Sequence, residues 1–299
     1  MSSTTTLIVE KVAPAAQQVD GHDKNTPPVK PSFQALSQGP VVLRGPPTFS
    51  SVEKQRQWML GHMAAAFRVF ARKGFTEGLA GHTSLRDPEF PDCFWTNPIA
   101  HHFGLMKVSD LILLNDQGQP IGGNTSKPAN AAGFQIHGHI HRAYPEVNAA
   151  CHAHSVAGRA WASFGRRLDM LHQDACNFYG DAHQVYTEFG GVVLDPEEGN
   201  RLAAALGPRG KGLLLQNHGF LTVGKTVDEA AYLFCLLDTC CEIQLKAEAA
   251  AASGIPKVLV SEKAATFTYE TTSNPEGLYN DFQPEYEYEL AVSKGDFLN

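Results

Sequence analysis

The stretch KGLLLQNHGFLTVG, residues 211–224, constrains the fold most. Two apolar runs are broken there by a polar trio, Asn217, His218 and Gly219. Apolar side chains at successive positions point to both faces of an extended segment, which marks a fully buried strand. Gly219 permits a sharp turn that a Cβ would resist. The stretch reads as a buried strand, a turn and a second strand.

Helix signals surround it. TVDEAAYLFCLLDTCCEIQLKAEAAAASG follows directly, with Thr226 and Glu229 at capping-box spacing. SSVEKQRQWMLGHMAAAFRVFARKG shows the same spacing at Ser50 and Glu53, and Gly74 suits the position after a helix end. KPANAAGFQIHGHIHRAYPEV predicts a helix ending near Tyr144, before Pro145. LDPEEGNRLAAALG predicts another, with Asp195 as cap and Pro196 in the first turn. Short strands are expected in DLILLNDQGQPIGG and VNAACHAHS, and a last helix in YNDFQPEYEYELA. Helices alternating with short strands make an α/β domain.

With 43% hydrophobic residues, the 299-residue chain can bury one large core. We expect residues 46–299 to form it. Residues 1–45, rich in Thr, Pro, Gln and Ser, read as a flexible arm or a strap on a neighbour. A net charge of −7 without any Lys/Arg block argues against a nucleic-acid surface. Six cysteines without a CxxC pair read as reduced and intracellular. The N-terminus lacks a basic start and a long apolar core, so no signal peptide is expected. No run reaches the roughly 18 apolar residues of a membrane span. The expectation is a cytoplasmic protein that acts on a small molecule.

Thirteen histidines are the compositional oddity. His152 and His154, two apart at a strand end, would point to one face. Neutral imidazole suits zinc and other borderline divalent ions. Alone, such a pair is more often a polar strand end than a metal site. His218 shifts the balance, because it ends another buried strand, and three imidazoles leave positions open as a catalytic metal needs. His137 and His141 share a helix face at i,i+4 spacing. They read as support or packing, since the other three already complete a set; His139 should point elsewhere. Cys151 reads as a small core residue.

The segments PEVNAACHAHSVAG and LLLQNHGFLTVGKTVDEA, with GHTSLRDPEFPDCFWTNP, LILLNDQG, AGFQIHGHIHRAYPEV and QDACNFYGDAHQVYTEFGGVV in order, are similar to the class II aldolase/adducin family over about residues 50–250. The resemblance implies a three-layer α/β/α sandwich around a mixed, mainly antiparallel sheet. It implies a homotetramer with sites near subunit interfaces, and a divalent metal on His152, His154 and His218. Zinc is the first expectation, with Mn2+, Co2+, Ni2+ or Fe2+ as alternatives. In such enzymes the metal polarises a carbonyl or hydroxyl and stabilises an enediolate.

The departures narrow the chemistry. The Ser-Ser-Glu segment of the family's sugar-phosphate aldolases falls on Ala131-Ala132-Gly133, which removes two hydroxyls and a carboxylate. The family's phosphate-loop Asn appears as His82, and its Thr-Gly turn as TNPIAHHF, with Asn97, His101 and His102. We therefore expect His82, Asn97, His101, His102 and Gly133 to face an unphosphorylated substrate. Another proton carrier is then needed. Asp174 lies near where the family's epimerases place an acid/base aspartate. His172 lies near where its aldolases place a tyrosine from the adjoining subunit. The expected activity is a metal-dependent carbon–carbon lyase, by retro-aldol cleavage or decarboxylation, on a small hydroxy- or oxo-acid or related carbonyl compound. The alternatives are an isomerase or epimerase on the same metal, and a non-catalytic adducin-like assembly domain. Retention of all three histidines argues against the last.

Overall fold

The alternate leucines of residues 213–215 each enter a different core in the computed structural model, which describes residues 32–299. Leu213 and Leu215 pack with Ile136, Ile140, Leu202 and Leu206 on one face of the sheet. Leu214 packs with Phe67, Trp161, Phe234 and Phe282 on the other. The strand is Gly212–Leu215, and Gly219–Gly224 returns beside it antiparallel. The turn between them puts Asn217 in the left-handed region at φ 59°.

Eight strands form one sheet: β1 (His82–Arg86), β2 (Phe94–Thr96), β3 (Ile112–Leu114), β4 (Pro120–Gly123), β5 (Ala149–His152), β6 (His183–Tyr186), β7 (Gly212–Leu215) and β8 (Gly219–Gly224). Their order is β4-β3-β2-β1-β5-β8-β7-β6. Every neighbouring pair is antiparallel except β6 with β7. Helices α2 (Ala131–Ala143) and α4 (Pro196–Leu206) cover one face. Helices α1 (Val52–Arg72), α3 (Val156–Ala162), α5 (Val227–Ala251) and α7 (Pro275–Ser293) cover the other. This is the expected three-layer sandwich with a mixed, mainly antiparallel sheet.

Local differences from the sequence reading are small. Ser51, not Ser50, caps α1, because its Oγ is the oxygen placed to accept from the Lys54 amide. His154 lies two residues beyond the end of β5 rather than within it. Helix α6 (Glu262–Thr272) carried no clear apolar stripe in the sequence. Of the expected arm, residues 1–31 lie outside the described residues. Residues 32–45 run along α7, where Gln34 reaches Glu276 and Asn280 donates to the Arg44 carbonyl. Cys151 is fully buried, and burial pushes its thiol up to about 12, as suits a core residue. Among the described residues no helix is long and apolar enough to cross a membrane.

Candidate metal centre

The register of three strands assembles the site. His82 on β1 pairs opposite His152 on β5, and His152 pairs opposite Leu221 on β8. Strand periodicity puts His82, Ser84, Ala150 and His152 on the face under α2. The chain then leaves β5, and His154 follows just before Ser155 caps α3. His218 arrives from the β7–β8 turn. Candidate ligand atoms of His152, His154 and His218 all lie within 4.8 Å of one another. Their ring centroids are 4.8–5.4 Å apart.

Electrostatics keep these rings neutral. Burial, and then the neighbouring histidines, pushes the His152 imidazole well below its ordinary value. Burial followed by His154 lowers His218 to about 4, and burial leads at His154 too. The His152 Nδ1–H donates to the Phe220 carbonyl at 2.8 Å, which leaves Nε2 with its lone pair. A neutral imidazole set with His152 oriented in this way suits a divalent ion such as zinc.

A second histidine cluster lies behind the first. His82 Nδ1 is 3.0 Å from His137 Nε2, and His137 Nδ1 is 2.9 Å from Ser84 Oγ. Ser84 Oγ is in turn 2.7 Å from His141 Nε2. His137 and His141 thus support the neighbouring strand, while His139 turns towards Gly199 on α4. Gly133, in the first turn of α2, lies against His82: a Cβ there would meet His82 Cγ at 2.7 Å. Asn130 caps the helix through the Gly133 amide. Ala131 and Ala132 bring neither hydroxyl nor charge.

The remaining expected residues have separate places. Asn97 is buried, and its amide is spent on the Thr83 N–H and the Gly81 and Pro98 carbonyls, so it holds the entry to β1. His101 sits between Asp110 and Lys127. His102 accepts from the Gly104 amide and caps a short turn. Asn97, His101 and His102 share one cleft with Gly81. His172 and Asp174 face each other at 3.8 Å. Burial, and then Asp174, raises the nearby Asp281 carboxyl to about 6. No hydrogen bond or ion pair joins either residue to the three histidines within the described chain.

Two residues beside the site were given no role in the sequence reading. Arg159 of α3 pairs with Glu77 at 2.6 Å. Both act on His154, where Arg159 adds to the effect of burial. The available signal was an arginine one turn into the helix that follows the two histidines.

A sequence profile described as the Class II Aldolase and Adducin N-terminal domain matches residues 61–245. The chain belongs to the class II aldolase and adducin family. The Meiotically up-regulated gene 14 protein of Schizosaccharomyces pombe is 46% identical over 252 residues, 84% of this chain and 96% of that protein. Decarboxylase NovR of Streptomyces niveus is 43% identical, over 85% of this chain and 92% of its own. Among solved structures, an L-fuculose 1-phosphate aldolase from Glaciozyma antarctica PI12 superposes with a TM-score of 0.76 at 38% identity, covering 84% of this chain and 96% of that one. The profile spans all three converging histidines and the Ala131–Gly133 segment.

Proposed function

We propose that this chain is a metal-dependent lyase that breaks a carbon–carbon bond beside a carbonyl in a small, unphosphorylated hydroxy- or oxo-acid. The observation that carries this is the convergence of His152, His154 and His218 next to a helix start that offers only Ala131, Ala132 and Gly133. The three imidazoles would hold a divalent ion, zinc in this reading, which supplies Lewis acidity to a substrate oxygen. Arg159, at the rim beside His154, would orient a carboxylate. The α2 N-terminus would favour an anion through its free amides. His172 and Asp174 would carry the proton from a neighbouring subunit of a homotetramer. Residues 46–299 are the catalytic body in this reading, and the compartment is the cytoplasm.

Retro-aldol cleavage and decarboxylation both leave an electron pair on carbon next to a carbonyl. The name of the Streptomyces relative supports decarboxylation. The name of the Glaciozyma structure supports a second reading, a sugar-phosphate aldolase. Against it, a phosphate at Ala131–Gly133 would find amides but no hydroxyls, and each missing charged hydrogen bond costs about 1.5–3 kcal/mol. The deciding experiment is turnover of matched phosphorylated and unphosphorylated hydroxy- and oxo-acids at saturating zinc. Selective turnover of an unphosphorylated acid is expected. Efficient cleavage of fuculose 1-phosphate would overturn the proposal.

A further inference from the structure

We propose that the buried relay His141–Ser84–His137 locks His82 in its Nδ1–H tautomer and so presents its Nε2 as a standing hydrogen-bond acceptor beside the three histidines, matched to a substrate hydroxyl. The acceptor role rests on the substrate site proposed above; the lock rests on hydrogen-bond directions alone.

Those directions run from a fixed end. His141 Nδ1 lies 3.0 Å from the Val147 carbonyl, which can only accept, so His141 must carry its proton on Nδ1. A neutral His141 then has a lone pair on Nε2. Ser84 Oγ, 2.7 Å away, must donate its single proton there. With that proton committed, Ser84 Oγ accepts from His137 Nδ1–H at 2.9 Å. His137 Nε2 is therefore the acceptor of the next bond, and His82 Nδ1–H the donor, at 3.0 Å. Four protons fill four bonds, and the lone pair at the far end falls on His82 Nε2.

The geometry that permits this is a match of two periods. His82 and Ser84 are two apart on β1 and share a face; His137 and His141 are four apart on α2 and share a stripe. The two pairs interleave, so His137 and Ser84 each have one partner on either side, and His82 has one at Nδ1. All four residues are buried, and an unfilled donor or acceptor among them would be costly. The His82 ring lies 4.9 Å from that of His152. His218 and His154 are also near enough to act on its charge. Among the described residues, Nε2 of His82 makes no hydrogen bond, and it is not one of the fully enclosed unpartnered atoms. It is thus the open end of the relay, next to the proposed substrate position.

The test uses the full chain labelled with 15N-histidine, stripped of metal by chelator and then loaded with zinc. Two-bond nitrogen–proton spectra report each ring's tautomer. His82, His137 and His141 are expected as Nδ1–H in both forms. In Ser84→Ala, His82 and His137 are expected to show averaged tautomers while zinc stays at the wild-type ratio. A wild-type His82 protonated on Nε2, or one unchanged in Ser84→Ala, overturns the lock. Zinc lost in His82→Phe makes His82 a ligand and also overturns the proposal. Calorimetry on the zinc form then compares lactate with 2-fluoropropanoate, whose fluorine cannot donate. Wild type is expected to prefer lactate, and His82→Phe or Ser84→Ala to lose about tenfold of that preference, the equivalent of roughly 1.4 kcal/mol. An unchanged preference in both variants refutes the acceptor role. A locked tautomer with no binding of either acid upholds the relay and refutes the small-acid reading instead.

Discussion

Replacing Gly133 with alanine should destabilise the protein, although glycine to alanine in a helix ordinarily stabilises. The new Cβ would stand 2.7 Å from His82 Cγ, 2.9 Å from Cδ2 and 3.0 Å from Nδ1. Ordinary carbon contacts begin near 3.5 Å, so the ring must move by several tenths of an ångström. It cannot do so freely, because its Nδ1 is held at 3.0 Å by His137. Overpacking of this kind costs about 1–3 kcal/mol. A broken bond that strands a buried polar group costs a further 1–3 kcal/mol or so. The helix-propensity gain returns about 1 kcal/mol. The expected net loss is therefore roughly 1–5 kcal/mol. Gly138 on the same helix provides the control. The three atoms nearest a Cβ there all belong to the half-buried Phe134 ring, at 3.2 Å or more, a milder crowding than at Gly133. Gly138→Ala should be neutral or stabilising by up to about 1 kcal/mol. Urea unfolding of both variants and wild type, metal-free at pH 7.5, reads the difference directly. If Gly133→Ala is as stable as Gly138→Ala, His82 does not occupy the space beside the helix start and the reasoning fails.

Two further outcomes are expected. In His218→Ala, zinc measured by elemental analysis should fall from one per chain towards zero while circular dichroism stays native. A stoichiometric ion in that variant would refute the ligand set. Acid should weaken the fold well before carboxylates titrate. Burial holds His141 and His183 at about 3, against an ordinary value of 6.5, so the unfolded chain binds their protons first. Their stabilisation is complete above about pH 6.5 and is lost as pH falls towards 3. Between pH 7.5 and 5.5 each should cost roughly 1.4 kcal/mol, read from metal-free urea midpoints. A His183→Phe variant with the wild-type pH dependence would remove His183 from that account.

The family, the layers and the three candidate histidines were legible in the chain because each is marked by short-range pattern. Apolar residues at 213–215 announce a strand buried on both faces, and Asn217-His218-Gly219 announces the turn that ends it. Caps at Asp195 and Thr226 fix helix starts within a few residues, since a capping side chain acts only on its own first turn. His152 and His154 lie two apart, so local geometry alone brings them near each other.

What the chain could not declare is what strand pairing and helix packing decide. His82 and His152 become neighbours only through the β1–β5 register, and Ser84 gains its role only because α2 settles with His137 and His141 over that strand. Nothing in HTSLR marks Ser84 as a link between two imidazoles. Asn97 looked like a substrate contact, yet its amide is consumed by backbone groups that close the loop before β1. Arg159 and Glu77, far apart in sequence, meet beside His154 because α3 turns back over the sheet. Local pattern sets which face each residue occupies; the register between distant segments sets which side chains share a hydrogen bond. That second choice belongs to tertiary structure, because a hydrogen bond tolerates only tenths of an ångström and no sequence period carries such precision.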